Sequence, residues 1–365
     1  MTIRKEDVLK ALSGVIDPDF RQDIVTLGMV QDLEISGNKV KFSVVLTTPA
    51  CPLKEMLHRG CIDALESEFG AAIDININMT SRVTTSREEH PMLPGVRNII
   101  AVASGKGGVG KSTVTANLAV SLARSGAKVG LIDADIFGPS IPTMFNCENE
   151  QPHIIQKGAK ALILPIEQYG VKLVSIGFLA RAEDAIVWRG PMASSALKQF
   201  ISDAEWGELD YMLIDLPPGT SDIHLTLVQT IPVTGAVLVT TPQKVALADA
   251  IKGLQMFRQP QINVPVLGIV ENMSYFTPAE LPENKYYIFG KDGGKDLAAK
   301  YQVPFLGEVP LVQAIRESGD NGYPAVLQEG IMADAFKKLS EELARQIAIR
   351  NASGEKTRVV EIKIS

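Results

Sequence analysis

The sequence predicts an α/β protein, a doubly wound and mostly parallel sheet preceded by a small α+β domain. Two observations lead there. From Val96 onward, apolar runs of strand length alternate with helical patterns, which is how a parallel sheet with helices on both faces reads. Ahead of that lies a shorter stretch with its own helix, hairpin and helix signals. The expected boundaries are 1–85 for the small domain, 86–97 for a linker, 98–350 for the large domain and 351–365 for a tail.

A chain of 365 residues suffices for two domains, the larger with a substantial core. Hydrophobic residues at 45% and charged residues at 21% fit a soluble globular protein. A net charge of -6 supplies no basic footprint, so no nucleic-acid partner is expected. The charged N-terminus leads into no apolar core of signal-peptide length, and no apolar run reaches bilayer-spanning length. A cytoplasmic location without membrane association is therefore expected. Cys51, Cys61 and Cys147 are too few and too scattered for a disulfide framework or a CxxC metal site.

In the small domain, Val8, Leu9, Ala11, Leu12 and Val15 give an amphipathic helix, expected to stop at Asp17-Pro18-Asp19 because proline keeps its predecessor out of helical geometry. Val30–Ile35 and Val40–Thr47 alternate apolar and polar residues, with Ser36-Gly37-Asn38 as the hairpin turn. A helix from Pro52 to about Phe69 follows, then a strand through Ile73, Ile75, Ile77 and Met79. Leu53, Met56, Leu57, Cys61 and Leu65 share a helical face, which makes Cys61 a core residue. Cys51 stands at the junction of strand and helix, where a helix N-terminus lowers the thiol pKa. It reads either as a reactive or soft-metal-binding thiol or as a buried structural one. Ser86–Pro94, with its prolines and the Arg87-Glu88-Glu89-His90 segment, has the composition of a linker.

Strands of the large domain are expected at Ile99–Ala103, Val129–Asp133, Val171–Ile176, Tyr211–Asp215, Ala236–Thr240 and Val266–Asn272. In such sheets ligands bind at the carboxyl ends of the strands, and the chemically interesting residues fall there. After the first strand, Gly105, Gly110, Lys111 and Ser112 have the spacing of a phosphate loop that opens a helix. Gly105, Gly107, Gly108 and Gly110 let the backbone N–H groups of the loop, Val109 included, turn toward an anion. The stretch through Thr113 is the expected nucleotide site. Lys111 would hold the β- and γ-phosphates and the Ser112 hydroxyl Mg²⁺.

Asp133 and Asp135 follow the second strand. They suit orienting a water or supporting a metal's hydration shell, a structural carboxylate being the other reading of Asp133. Asp215 ends the apolar strand Tyr211-Met212-Leu213-Ile214 in a Walker B layout and would bind Mg²⁺ through water. Gly219 beyond it would be free to swing its N–H toward the γ-phosphate. Asn272 closes a later strand with an amide that both donates and accepts, as reading a base edge requires; a turn residue is its rival reading. Cys147 reads as a surface or filler residue. Met332, Phe336, Leu339, Leu343 and Ile347 mark a C-terminal helix whose mixed-charge polar face favours packing against the sheet over membrane targeting.

The loop GKGGVGKST, with Lys106 directly after its first glycine, resembles the deviant Walker A loop of the MinD/ParA and nitrogenase iron-protein class. The resemblance implies an ATP-dependent homodimer in which Lys106 reaches a phosphate of the nucleotide on the opposite subunit; a solvated loop lysine is the plain alternative. It also implies a catalytic role for Asp135 at the first switch, beside Lys106 and Lys111, and contact of Asn272 with adenine. Together with DADIFGPSIP, Trp188-Arg189-Gly190-Pro191-Met192, DLPPGTSD and ENMSYF, the chain resembles the Mrp/ApbC family of iron–sulfur cluster carriers. Asp17-Pro18, Asp23–Gly28 and Thr47–Pro52 resemble the small domain of iron–sulfur assembly proteins. The resemblance implies ATP and Mg²⁺ as cofactors and a [4Fe-4S] cluster bridging two subunits. It implies apo iron–sulfur proteins and cluster scaffolds as partners.

One departure stands out. Such carriers usually place a CxxC pair after Tyr275-Phe276, where this chain runs Thr277-Pro278-Ala279-Glu280-Leu281-Pro282-Glu283-Asn284-Lys285, and no cysteine follows Cys147. Either cluster handling rests elsewhere, with Cys51 the candidate ligand, or the ATPase is a nucleotide-dependent positioning or regulatory switch of the MinD/ParA kind without a cluster.

Overall fold

The computed structural model describes residues 3–136, 138–158, 160–178, 190–278, 280–281 and 283–360. Phe137 of the first-switch motif, Trp188 and Arg189, and the last five residues of the tail lie outside the described residues. The chain divides into two compact units, residues 1–84 and 85–365.

The small unit runs α1 (Lys5–Leu12), β1 (Ile16–Asp17), β2 (Gln22–Asp23), β3 (Val30–Ser36), β4 (Lys39–Leu46), α2 (Lys54–Phe69) and β5 (Asp74–Ser81). Strand β4 is central, antiparallel to β3 and parallel to β5, so α2 is the crossover of a βαβ unit. Val8, Leu12, Phe42, Val44, Leu57, Cys61 and Leu65 form its core. Two boundaries differ from expectation. Helix α1 ends at Leu12, with Ser13 as its C-cap, and the Asp17-Pro18-Asp19 segment instead turns between β1 and β2. There the Asp17 carboxylate accepts the Asp19 backbone N–H at 2.8 Å, a local turn bond that competes with helix. Helix α2 begins at Lys54, with Leu53 as N-cap, so Pro52 precedes it.

The large unit continues with β6 (Val96–Ala103), α3 (Lys111–Arg124), β7 (Val129–Asp133), α4 (Ile141–Met144), the hairpin β8 (Ile154–Lys157) and β9 (Lys160–Ile163), β10 (Ile166–Gln168) and β11 (Val171–Ser175). Then come α5 (Gly190–Ser202), β12 (Leu209–Asp215), α6 (Asp222–Thr230), β13 (Gly235–Thr240), α7 (Lys244–Arg258), β14 (Val266–Glu271), α8 (Gly293–Tyr301), β15 (Phe305–Glu308), α9 (Gln313–Asp320) and α10 (Ile331–Ala352). Eight strands form one sheet in the order β10-β11-β7-β12-β6-β13-β14-β15, parallel throughout except for the antiparallel edge strand β10.

The central strands are apolar on both faces because both are covered. Ile99, Ala101, Ile132, Met212, Ile214, Ala236 and Leu238 join one core with residues of α5, α6 and α7. Their alternating neighbours Ile100, Val102, Leu131, Leu213 and Val237 are equally buried and point to the opposite face. Helix α3 packs on β6, β7, β12 and β13, and α10 packs on α3, β14 and β15. Phe336, Leu339, Leu343 and Ile347 of α10 are buried as expected, and Met332 is half-buried. Among the described residues no helix is long and apolar enough to cross a membrane.

The segment expected as a linker is held within this unit. Thr357 of the tail exchanges backbone hydrogen bonds with Ser86 and Glu88, and the Asn351 side chain accepts from the Ser86 N–H at 3.1 Å. The tail continues to Val360, whose N–H donates to the Val228 carbonyl of α6 at 3.0 Å.

Candidate functional site

Strand β6 delivers the chain into Ser104–Gly110, and α3 begins at Lys111. Two glycines of this loop are sterically required. A Cβ at Gly105 would lie 2.1 Å from the Asp249 backbone of α7. Gly110, at φ +79°, would place one 2.2 Å from the Asn272 side-chain nitrogen. Val109 is buried, and its carbonyl accepts the Asn272 Nδ2–H at 2.8 Å. Asn272 therefore ties the loop to the end of β14 and keeps its Oδ1 as an acceptor. Lys106, Gly107 and Gly108 are exposed, while Lys111 is buried at 6% exposure. Thr113 lies in the first turn of α3, where its carbonyl accepts from Asn117.

Beneath the loop, Lys111 Nζ stands 2.8 Å from Asp215 Oδ2 and 3.4 Å from Asp135 Oδ2. The Ser112 hydroxyl donates to Asp215 Oδ2 at 2.6 Å, and the Thr115 hydroxyl to Asp215 Oδ1 at 2.7 Å. Thus Lys111, Asp135 and Asp215, all buried, meet the partly buried Ser112 in one cluster. Asp133 sits behind it, fully buried, and acts on the first switch. Its oxygens accept from the Asp135 N–H at 3.2 Å, the Ile141 N–H at 3.4 Å and the Ser175 hydroxyl at 2.8 Å, fastening both ends of the loop that carries Asp135. Burial, reinforced by the charge of Asp215, pushes its carboxyl well above the usual carboxylate range, against the Ser175 bond and Lys111.

The donor set suits Mg²⁺. Ser112 Oγ and Asp215 Oδ2 are hard oxygens brought together by a 2.6 Å hydrogen bond, the donor type Mg²⁺ takes directly or through water. Among the described residues no group of three His, Cys, Asp or Glu could hold a metal by itself. That pattern fits an ion whose shell is completed by phosphate and water.

After Asp215 the chain passes through Pro217-Pro218-Gly219 into α6. The Gly219 N–H, expected to be free to swing, donates to the Ser104 carbonyl at 2.8 Å and so latches this segment to the start of the loop. Ser221 caps α6 through a reciprocal bond with His224, whose Nδ1 accepts the Ser221 N–H at 3.2 Å. Burial pushes the His224 imidazole down to about 4, opposed by the Ser221 bond, so the ring is neutral with its proton on Nε2. That Nε2 is buried with no hydrogen-bond partner among the described residues.

Sequence reasoning missed Thr115, Ser175 and His224. Thr115 lies one helical turn after Lys111 and was recoverable from spacing. His224 has the position of a capping-box partner to Ser221. Ser175 meets Asp133 only through the pairing of β11 with β7, and no local signal announces it.

The thiols are distributed differently. Cys61 is fully buried and Cys147 nearly so, and burial pushes both up to about 12. Cys147 fills space beside Pro142, to whose carbonyl its Sγ lies 3.5 Å. Cys51 is partly exposed and stands before the N-cap of α2 rather than within its first turn. In place of a CxxC pair, Phe276 and Tyr286 exchange backbone hydrogen bonds at 2.8 Å and close the intervening segment. Lys285 packs 3.7 Å over the Tyr275 ring and pairs with Glu308 at 3.1 Å.

A glycine loop between strand and helix, over a buried lysine and a strand-end aspartate at the carboxyl edge of a parallel sheet, defines a P-loop nucleoside triphosphatase. The family can be stated as well. Residues 95–348 match the ParA model, described as NUBPL iron-transfer P-loop NTPase, and the chain belongs to that family. Residues 5–75 match the model of iron–sulfur cluster assembly proteins. The chain is 44% identical over 342 residues to the iron–sulfur cluster carrier protein of Synechocystis sp., covering 93% of this chain and 96% of that one. It is 46% identical over 348 residues to the carrier protein of Deinococcus radiodurans, covering 95% and 96%. Among solved structures it resembles a nucleotide-binding protein from Archaeoglobus fulgidus in complex with ADP. The TM-score is 0.57 at 39% identity, covering 65% of this chain and 91% of that one.

Proposed function

We propose that this protein is an ATP-binding and ATP-hydrolysing iron–sulfur cluster carrier that acts as a cytoplasmic homodimer and loads apo-proteins. The observation that carries the reading is the buried Lys111–Asp215–Asp135–Ser112 cluster under the glycine loop, in a chain matched by both an iron-transfer NTPase model and a cluster-assembly model.

Lys111 is neutralised by two carboxylates, and the phosphates of ATP compete for it. As Lys111 turns to the β- and γ-phosphates, its contact with Asp135 is given up and the Asp135 carboxylate can accept a hydrogen bond from the attacking water. Ser112 and Asp215, the latter through water, would hold Mg²⁺, and the ion would supply charge neutralisation at the phosphates. Gly219 exchanges the Ser104 carbonyl for the γ-phosphate, and hydrolysis returns it, so the latch reports the nucleotide state to α6. Asn272 offers Oδ1 to the 6-amino group of adenine, and the exposed Lys106 reaches the nucleotide of the partner subunit. Cys51, from the small unit of residues 1–84, is the candidate cargo ligand, because Cys61 and Cys147 are buried and held protonated.

ATP turnover by the intact chain, lost in Lys111→Ala and in Lys106→Ala, together with cluster transfer to an apo-acceptor, tests this reading. Turnover that survives both substitutions contradicts it. The missing CxxC favours a second reading, a nucleotide switch that governs partner binding without a cluster. ATP-dependent sedimentation with anionic liposomes or DNA is the outcome that would support it.

A further inference from the structure

We infer that Thr115 is a positioning residue for Mg²⁺-dependent turnover, holding the Asp215 carboxylate in place while Lys111 is drawn away to phosphate. The inference rests on the nucleotide-site reading above and adds a residue to it.

Lys111, Ser112 and Thr115 occupy one face of α3, and all reach the same acid. Their attachments differ. Lys111 and Ser112 both engage Oδ2, whereas Thr115 donates to Oδ1. The terminal torsion of an aspartate is soft, so bonds to a single oxygen leave the carboxylate plane free to swing; a bond to the other oxygen fixes it. Asp215 is fully buried.

The Thr115 hydroxyl has two acceptors within reach and one proton. A helical threonine ordinarily returns its hydroxyl to the carbonyl one turn back, and Lys111 O is there at 2.9 Å. The carboxylate is nearer, at 2.7 Å, and a charged acceptor makes the stronger bond. Thr115 therefore spans from α3 to the end of β12, and it is itself completely buried.

The consequence concerns what happens on nucleotide binding. Lys111 is shared between Asp215, Asp135 and the incoming phosphates, and its departure removes the shortest cationic contact of Asp215. Ser112 is required by the metal. Among the described residues the Thr115 hydroxyl donates to Asp215 or to the Lys111 carbonyl, neither a group the nucleotide claims from it, so its hold on the carboxylate persists through the cycle.

The test compares Thr115→Val, which keeps shape and removes the hydroxyl, with Thr115→Ser, which restores it. ATP turnover is followed against Mg²⁺ concentration, and binding of a fluorescent ADP analogue is measured in EDTA. Thr115→Val should raise the half-saturating Mg²⁺ concentration about tenfold or more, in the range seen when an outer-shell partner is removed. Nucleotide binding in EDTA should stay as in the wild type, and Thr115→Ser should recover most of the Mg²⁺ response. Thermal melting checks that the fold is kept, and Thr115→Ala replaces the valine variant if that one does not fold. An unchanged Mg²⁺ response in the variant lacking the hydroxyl, or a serine variant as impaired as the valine one, overturns the inference. A wild-type chain without Mg²⁺-dependent turnover would instead overturn the nucleotide-site reading beneath it.

Discussion

Lys106 in the loop and Lys111 at the start of α3 stand five positions apart and are expected to fail in different ways when removed. Lys111 is buried against two carboxylates, so Lys111→Ala leaves uncompensated charge in the core and should cost about 3 kcal/mol of stability, read by urea unfolding, as well as nucleotide binding. Lys106 is exposed, so Lys106→Ala should leave stability within about 0.5 kcal/mol of wild type while abolishing turnover. His224 adds a pH dependence of definite sign. Its folded pKa is held at about 4 against 6.5 in the unfolded chain, so the unfolded state takes up a proton that the folded state refuses. Its contribution is complete above the unfolded value and is lost as pH falls toward the folded one. The loss should be about 2 kcal/mol between neutral pH and pH 5. Urea midpoints at the two pH values should show a smaller drop in His224→Gln than in wild type.

At the scale of elements, the legible parts were those whose sequence pattern and burial coincide. The central strands β6, β7, β12, β13 and β14 are covered on both faces, so each reads as a continuous apolar run, and β11 beside them reads equally well. The edge strands β10 and β15 were not legible. They are three and four residues long, pair on one side only, and are defined by a neighbour rather than by their own pattern. The end of α1 was misplaced because Pro18 looked like the terminator, whereas Ser13 and Gly14 had already ended the helix and the Asp17 carboxylate built a turn. Helix α10 was legible from its spacing, and the account makes it part of the core. Leu343→Ala, at a fully buried position, should cost about 3 kcal/mol by urea unfolding.

The molecule as a whole joins two units that each own a hydrophobic core. Nucleotide binds at the large unit in this account, so calorimetry should show MgADP raising the transition of that unit and leaving the other where it was. The stabilisation should be about 2.7 kcal/mol at a hundredfold excess over Kd. The candidate nucleotide site was legible because a phosphate loop is a local motif, Asp215 ends β12, and Asp135 lies two residues beyond the end of β7. Ser175 was not legible, because only the sheet brings it to Asp133. The proposed cargo site is the least legible feature. Where a CxxC pair would follow Tyr275-Phe276, Phe276 pairs with Tyr286 instead, and the one partly exposed thiol, Cys51, lies in the small unit.

The most direct test of the central claim is iron and sulfide content after anaerobic reconstitution, measured on the intact chain and on Cys51→Ala, followed by transfer to an apo-acceptor. The account predicts a cluster on the intact chain, its loss in Cys51→Ala, and delivery to the acceptor. Absence of iron and sulfide from both chains, with ATP turnover intact, would contradict the carrier function and leave a nucleotide switch that acts on partners.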